Sequence, residues 1–345
     1  MEIVVSNLPQ IEIIAELAQG FEGNPGLAHL LVKAAAAAGA NAAKFQLVYA
    51  DELATPDYKH YELFKGLEME DEVWAGVAAA CRDVGIALNL DVFGSRSLAL
   101  AETLGVETVK LHGTDISNLG FLAEVAGSKV PRVMLGAGGA LASEIEQALD
   151  ILAGKQVIVM LGFQGYPTPN DTNQIARVAE LMRRWTAAMP QLAVGFADHA
   201  PPEDNTRFAL AATALGAGAR ILEKHLTLGR NMKLEDFESA LNPDEFEQFC
   251  VTLRACAAAF GASSGNDDFA MSEAEMSYRK MIRRHVVAAR PITAGTVLGP
   301  ADLVLKRSGA DTYISDLDSA YGRKAVRALE ANDPVLPDDL SEAGE

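Results

Sequence analysis

Two histidines end neighbouring apolar runs in the second half of the sequence, and their type and spacing could support metal chemistry. The runs cover residues 192–196 and 219–226, and the helical pattern of residues 206–215 lies between them. A strand, a helix and a strand form a parallel βαβ unit, in which both strands end at the same edge. His199 and His225 are therefore predicted to face one another, where two neutral imidazoles could bind one divalent metal. The alternative is two unrelated histidines that are hydrogen-bonded near the rim.

Two lysines lie inside other apolar runs. Lys44 shares one face of its run with Gln46, and Lys110 shares a face with His112, because side chains alternate along a strand. A buried lysine is costly unless it meets an anion, so this pair suggests a negatively charged ligand. The alternative is that each lysine pairs with a rim carboxylate. The candidate carboxylates are Glu16, Asp91 and Glu223.

Eight apolar runs alternate with helical patterns before about residue 262 and would position these side chains. The candidate strands are residues 11–17, 41–47, 87–93, 108–111, 132–135, 156–161, 192–196 and 219–226. Eight βα units in about 250 residues are typical of a (β/α)8 TIM barrel, and an open doubly wound sheet is the rival fold. A barrel places its active site at the C-terminal ends of the strands, where the histidines and lysines lie.

The sequence changes character after these units. Residues 272–284 form a charged helical pattern, and short β-like runs separated by Gly- and Pro-rich turns follow from His285 onward. About 60 such residues predict a small β-rich domain, near the lower limit for independent folding. We therefore expect a TIM-barrel domain over residues 1–265, a helical linker over 266–283 and a β-rich domain over 284–345.

Composition narrows the classes of partner. A formal net charge of −18 argues against nucleic acid and anionic membranes, and no apolar run approaches the ~20 residues that span a bilayer. Residues 1–10 lack the basic and apolar regions of an export signal. Three scattered cysteines suggest a reducing compartment rather than a disulfide framework. We expect a cytoplasmic protein without nucleic-acid or membrane partners.

Several short motifs together resemble, in order and spacing, those of the sialic acid synthase family, which includes N-acetylneuraminate synthases and spore coat polysaccharide synthases. In the barrel region they are IAE at residues 14–16, AKFQ at 43–46, VKL at 109–111, YPTP at 166–169, ADH at 197–199 and EKHLTL at 223–228. In the tail, RRHVVAA at residues 283–289, ITAG at 292–295 and LKRSG at 305–309 resemble the C-terminal antifreeze-like (SAF) domain of the family.

The resemblance implies a TIM barrel followed by a SAF domain. It also implies an enzyme that condenses phosphoenolpyruvate with an open-chain N-acylated amino sugar, giving a nine-carbon 2-keto acid and phosphate. By the same resemblance, His199 and His225 would hold a divalent metal, Mn²⁺ in the family, and Lys44 and Lys110 would hold phosphoenolpyruvate. Glu16 would orient a sugar hydroxyl or move a proton, which completes the implied catalytic set.

The resemblance also implies how the acceptor sugar is held. The matching residues are Glu16, Gln46, Gln164, Tyr166 and Asp236, with Gln164 where the family usually has asparagine. Arg307 matches an arginine that the tail of one subunit inserts into the active site of its partner, which implies a domain-swapped homodimer.

The sequence departs from the family pattern where a phosphate would bind. Gly113, Gly136 and Ala197 replace serines, and Asp91 lies where the family has a Ser-Thr-Pro sequence. A phosphate needs several donors, and an ionised carboxylate would repel it. A second interpretation is therefore a metal-dependent condensing enzyme with another donor or acceptor. A third is a non-catalytic sugar-binding derivative, which the retention of the metal histidines and both lysines argues against.

Overall fold

The computed structural model describes residues 10–163, 165–186, 189–261 and 271–341. The described residues divide into two compact units, one within Ser6–Ala262 and the other within Ser263–Glu345. The predicted boundary at residue 265 falls among residues 262–270, outside the described ones, and stays a prediction.

The first unit is a closed barrel of eight parallel strands that pair in chain order, with the eighth strand against the first. The strands are β1 (Glu12–Ala18), β2 (Ala42–Gln46), β3 (Ala87–Val92), β4 (Thr108–Leu111), β5 (Arg132–Gly136), β6 (Gln156–Leu161), β7 (Ala193–Asp198) and β8 (Ile221–His225). The predicted TIM barrel is confirmed, and most strand ends agree within one or two residues. β7 extends to Asp198 rather than ending at residue 196, so His199 follows the strand directly.

Ten helices alternate with or follow these strands. They are α1 (Pro25–Ala37), α2 (Ala50–Leu53), α3 (Tyr61–Leu67), α4 (Asp71–Val84), α5 (Ser95–Thr103), α6 (Leu119–Gly127), α7 (Ala142–Ile151), α8 (Ala176–Trp185), α9 (Ala209–Ala217) and α10 (Pro243–Phe260). α1 begins where Asn24 accepts hydrogen bonds from the backbone N–H groups of Gly26 and Leu27, and α10 begins after Asn242 with a proline in its first turn. In the described part of the chain, no helix is both long and apolar enough to cross a membrane.

Two apolar layers hold the barrel together. The larger layer fills the space between strands and helices, and it includes Phe21, Phe45 and Trp74, whose rings contact edge to face at centroid distances of 5.4–5.9 Å. The smaller layer plugs the interior of the barrel. Its buried members are Ile14, Ala42, Met134, Ile158, Met160, Ala197 and Ile221. Apolar packing thus closes the interior below the mouth, where the polar side chains gather.

The second unit begins with α11 (Glu273–Ile282), which Ser272 caps. Antiparallel strands β9 (His285–Ala288) and β10 (Leu303–Lys306) form one sheet, and β11 (Lys324–Ala325) and β12 (Leu340–Ser341) form another. This unit has its own apolar core, in which Val286 and Val335 are fully buried. The prediction of a small β-rich region after a charged helix is confirmed.

Candidate active site

Strand register gathers the charged side chains at the C-terminal mouth of the barrel. Glu16 on β1 lies opposite Lys44 on β2 and His225 on β8. Asp91 on β3 lies opposite Gln46 on β2 and Lys110 on β4. Parallel strands end at one edge, so residues far apart in the sequence become neighbours.

The two lysines and three carboxyl groups form a buried cluster, which we call the lysine cluster: Glu16, Lys44, Asp91, Lys110 and Glu223. Lys44 Nζ contacts Glu16, lies 2.6 Å from Asp91 Oδ1 and lies 3.6 Å from Glu223 Oε2. Lys110 Nζ lies 2.6 Å from Glu223 Oε1 and 3.9 Å from Glu16 Oε2. The alternative prediction, that both lysines pair with rim carboxylates, therefore describes the structure.

Burial shapes the protonation of this cluster. Burial raises the pKa of Glu16 to about 8. Attraction to Lys44 offsets this rise only in part, and repulsion from Glu223 and Asp91 adds to it. Burial would also raise the pKa of Glu223, but Lys110 and Lys44 hold it below its usual value. Burial opposes the charge of Lys44, yet its carboxylate neighbours raise its pKa. These shifts favour the protonated forms of Glu16 and Lys44.

The two histidines face one another beside the lysine cluster, as predicted. The ring centroids of His199 and His225 are 5.2 Å apart, and the edge of the Tyr166 ring contacts both. Burial lowers the pKa of His199 to about 4 and that of His225 well below its usual value. His199 Nδ1 donates to the carbonyl oxygen of Ala197 over 3.2 Å, which leaves Nε2 unprotonated. Both rings are neutral and can act as metal ligands.

This donor set fits a divalent metal with open coordination positions. Glu223 Oε2 is buried and has no hydrogen-bond partner. Glu223 shares one face of β8 with His225, and its charge acts on both imidazoles. Among the described residues, no three His, Cys, Asp or Glu side chains form a metal-binding group. His199 and His225 would therefore supply two ligands, fewer than the three protein ligands of typical catalytic zinc sites, and the other positions would fall to oxygen atoms.

A cavity of about 100 Å³ adjoins His199 and Lys110. Its lining residues are Lys110, His112, Gly113, Gly136, Gly138, Met160, Gly162, Phe163, Ala197 and His199. None of these described side chains carries a hydroxyl group. A Cβ on Gly136 would lie 2.8 Å from Gly113 N, and one on Gly138 would lie 2.2 Å from Gly162 O. The wall is therefore backbone packed against backbone, with no space for serine at these two positions.

The residues predicted to surround the acceptor lie at different distances from the histidines. Tyr166 contacts them, and Asp236 is close enough to Tyr166 for the two side chains to affect one another's pKa. Gln46 is buried and accepts a hydrogen bond from Gln19 over 2.7 Å. Gln164 lies outside the described residues. Arg307 belongs to the second unit, where it directly follows β10 with its side chain exposed.

Sequence reasoning did not assign Asp91 and Glu223 to the site, although it named both as possible partners for the lysines. The signal for Glu223 was alternation, because Glu223 and His225 share one face of β8. Lys224 between them points the other way and pairs with Asp198 over 3.0 Å. For Asp91, the signal was a carboxylate inside an otherwise apolar strand.

Comparison with known proteins agrees with this geometry. The NeuB family model matches residues 31–265, and the SAF domain model matches residues 283–341. The N,N'-diacetyllegionaminic acid synthase of Legionella pneumophila is 24% identical, with 94% of this chain and 93% of that protein covered. Human N-acetylneuraminate-9-phosphate synthase is 23% identical, with 96% and 93% covered. The crystal structure of a spore coat polysaccharide biosynthesis protein E from Chromobacterium violaceum has the same fold, with a TM-score of 0.80, 22% identity and coverage of 96% and 100%.

The close backbone packing at the cavity wall leads to a prediction about the stability of the protein. Gly162 has φ +123°, and a Cβ there would lie 2.2 Å from the carbonyl oxygen of Ala197. We expect Gly162→Ala to lower the free energy of unfolding by roughly 2–5 kcal/mol, since backbone strain and overpacking add. The control is Gly139→Ala, where φ is +78° but the space is open. Urea denaturation should show a clearly smaller loss for the control; equal losses would contradict a steric role for the wall.

The raised pKa of Asp236 leads to a prediction about how the stability of the protein depends on pH. Burial, Glu235 and Glu238 raise that pKa from 3.8 to about 7, against smaller opposing effects of Tyr166 and Lys44. The native state therefore favours the protonated form, so this contribution to stability is full below pH 4 and is lost as the pH rises through 7. Relative to wild type, Asp236→Asn should gain roughly 1–4 kcal/mol of unfolding free energy between pH 4 and 8. Urea denaturation at both pH values measures it; a difference that does not change with pH would refute the shifted pKa.

Proposed function

The chain belongs to the NeuB family, and on that premise we propose that it condenses phosphoenolpyruvate with an open-chain amino sugar and releases phosphate. One observation carries the proposal. A pair of neutral, facing imidazoles lies next to a buried lysine cluster at the mouth of a closed barrel. The imidazoles suit a metal that binds an aldehyde oxygen, and the lysines suit an anionic donor.

The acceptor proposed here is an N-acylated amino sugar that gives a nine-carbon 2-keto acid. Two relatives carry names that state products of this type, a diacetyllegionaminic acid and N-acetylneuraminate 9-phosphate. The two names specify different sugars, so they support the class of acceptor rather than one member of it. Tyr166, which contacts both imidazoles, and Asp236, which interacts electrostatically with Tyr166, are the proposed acceptor contacts.

His199 and His225 would hold a divalent metal, and we propose Mn²⁺ by resemblance to the family. When bound, such a metal polarises the aldehyde and makes its carbon more electrophilic. The chain fixes the ligand geometry, because the carbonyl oxygen of Ala197 holds the proton of His199 on Nδ1. Tyr166 packs against both rings and limits their rotation.

The lysines and Glu16 act on the donor in this proposal. The C3 carbon of phosphoenolpyruvate forms a bond to the aldehyde carbon, and the aldehyde oxygen takes a proton to become a hydroxyl. Water then adds at C2, and cleavage of the C2–O bond releases phosphate and leaves the 2-keto group. Attack by C3 leaves C2 electron-poor, which is why water adds there, and Lys44 and Lys110 would neutralise the negative charges on the carboxylate and phosphate of the donor and of the tetrahedral intermediate. Burial raises the pKa of Glu16 to about 8, close to neutral pH, which suits this residue to proton transfer at this face.

A second candidate is a condensing enzyme with a different donor. It is favoured by the pairing of Lys44 with Asp91 over 2.6 Å and by the absence of hydroxyl groups among the described residues that line the cavity. Both features weaken the binding of a phosphate relative to a site with serines and an unpaired lysine. A non-catalytic derivative is disfavoured because the facing imidazoles and the lysine cluster are intact.

We also propose a domain-swapped homodimer in which Arg307 of one subunit reaches the active site of its partner. The proposal rests on the family resemblance of residues 305–309 and on the exposed position of Arg307 directly after β10. A planar guanidinium suits an oxygen-rich ligand, and a two-fold dimer would use the same contact twice.

The metal prediction tests the proposed function. Wild-type protein with Mn²⁺, phosphoenolpyruvate and a panel of N-acylated amino sugars should release phosphate in step with the formation of a 2-keto acid. His225→Ala should bind Mn²⁺ at least about 100-fold more weakly by calorimetry and lose turnover. The control is His29→Ala, an exposed histidine on α1 that is hydrogen-bonded to the carbonyl oxygen of Pro25. Absence of turnover with every sugar, or full Mn²⁺ binding by His225→Ala, would refute the proposal.

The dimer prediction uses two inactive variants. We expect His225→Ala and Arg307→Ala each to abolish turnover, and a mixture that exchanges subunits to regain it. In the mixed dimer, one site carries both defects and the other carries neither, so about half of the sites in mixed dimers should work. Heterodimers are verified with two affinity tags. Heterodimers that form but remain inactive would show that each tail serves its own barrel or that Arg307 is not needed.

A further inference from the structure

Asp91 and Lys44 form a buried ion pair in the lysine cluster. Lys44 Nζ donates to Asp91 Oδ1 over 2.6 Å, and both side chains are almost fully buried, with 0% and 1% of their surface exposed. The other oxygen, Asp91 Oδ2, is buried without a hydrogen-bond partner. An orphaned carboxylate oxygen is costly, so the position of Asp91 is not explained by stability alone.

Lys44 would keep carboxyl partners without Asp91. Glu16 contacts its Nζ atom, and Glu223 Oε2 lies 3.6 Å away. Glu16 on β1 and Glu223 on β8 would therefore still be carboxyl partners for Lys44, so Asp91 is not required for that structural purpose. Asp91 adds a further negative charge from β3 on the side where Lys110 lies opposite in register.

The lysine cluster has no positive charge to spare for an anion. It contains two ammonium groups and three carboxyl groups, and each ammonium group already has a carboxyl oxygen within 2.6 Å. Without Asp91, two carboxyl groups would face two ammonium groups, in a buried setting where charges interact strongly.

The adjoining cavity offers few neutral groups that could bind an anion, so the charges of the lysine cluster matter more for anion binding. None of its described lining side chains has a hydroxyl group, and the backbone wall leaves no room for a serine at Gly136 or Gly138. Hydrogen bonds from neutral side chains are therefore scarce, and an anion would depend chiefly on the lysine cluster, of which Lys110 lines the cavity and Lys44 shares the neighbouring carboxyl group of Glu223.

We propose that Asp91 is a specificity-determining residue. Its carboxylate forms an ion pair with Lys44 and weakens the binding of donors that carry several negative charges. A donor with several negative charges must displace Asp91 from Lys44 or bind beside it, whereas a donor with one carboxylate meets less repulsion. This inference rests on the proposed function in taking phosphoenolpyruvate as the donor, but it concerns binding and is testable without turnover.

The test compares Asp91→Asn with wild type by calorimetry, using phosphoenolpyruvate and pyruvate as probes on the full chain. Asparagine keeps the shape and an acceptor oxygen for Lys44 while removing the charge. We expect Asp91→Asn to bind phosphoenolpyruvate about 10-fold or more tightly than wild type and to bind pyruvate less than about 3-fold more tightly. In steady-state assays the same change should lower KM for the donor more than it alters kcat.

The matched control is Glu12→Gln, which removes one negative charge from the opposite end of the barrel. Glu12 begins β1 and pairs with Arg132 at the start of β5. It changes the net charge of the chain equally, so it should leave both affinities unchanged if the effect of Asp91 is local. Asp91→Ser is the second variant, with a smaller neutral side chain, and should show the same preference for phosphoenolpyruvate.

Several outcomes would overturn the inference. They are equal or weaker binding of phosphoenolpyruvate by Asp91→Asn, an equal gain for pyruvate, an equal gain in Glu12→Gln, no binding to either protein, and failure of both Asp91 variants to fold. Tighter binding by Asp91→Asn without product from any sugar would instead contradict the proposed function and leave the role of Asp91 supported.

Discussion

The structure of the site depends on one electrostatic constraint, the burial of two ammonium groups at the mouth of an apolar barrel. Lys44 and Lys110 have little contact with water, and a charge in such a setting needs opposite charges nearby. Glu16, Asp91 and Glu223 supply them from three different strands. Burial and repulsion among these carboxyl groups raise the pKa of Glu16.

The barrel provides what this constraint requires. Parallel strands in chain order bring β1, β2, β3, β4 and β8 to one rim, and apolar side chains such as Met134 and Met160 close the interior below. On the opposite side of the mouth, glycines allow backbone segments to pack closely around a small cavity. The result is a site with strong charges on one side and few neutral donors on the other. The balance of charge therefore governs which ligand can enter.

Membership of the NeuB family and this local chemistry carry different information. The family indicates a phosphoenolpyruvate-dependent condensing enzyme. The residues specific to this chain, above all Asp91 and the glycines of the cavity wall, modify how the anion is held. The affinity for the donor thus becomes the property in which this chain should differ from a site with hydroxyl groups.

Much of the fold and part of the site could be predicted from the sequence. Alternation of apolar strands with helical patterns determined the barrel and the β-rich tail, because each strand and helix is encoded by local periodicity. The βα repeat also determined that His199 and His225 would face one another. The pairing of the lysines could not be derived, since it depends on which of several carboxyl groups on other strands comes within hydrogen-bond distance. Likewise, the elevated pKa of Glu16 and the closed glycine wall arise from burial and close packing, which exist only once the barrel has closed.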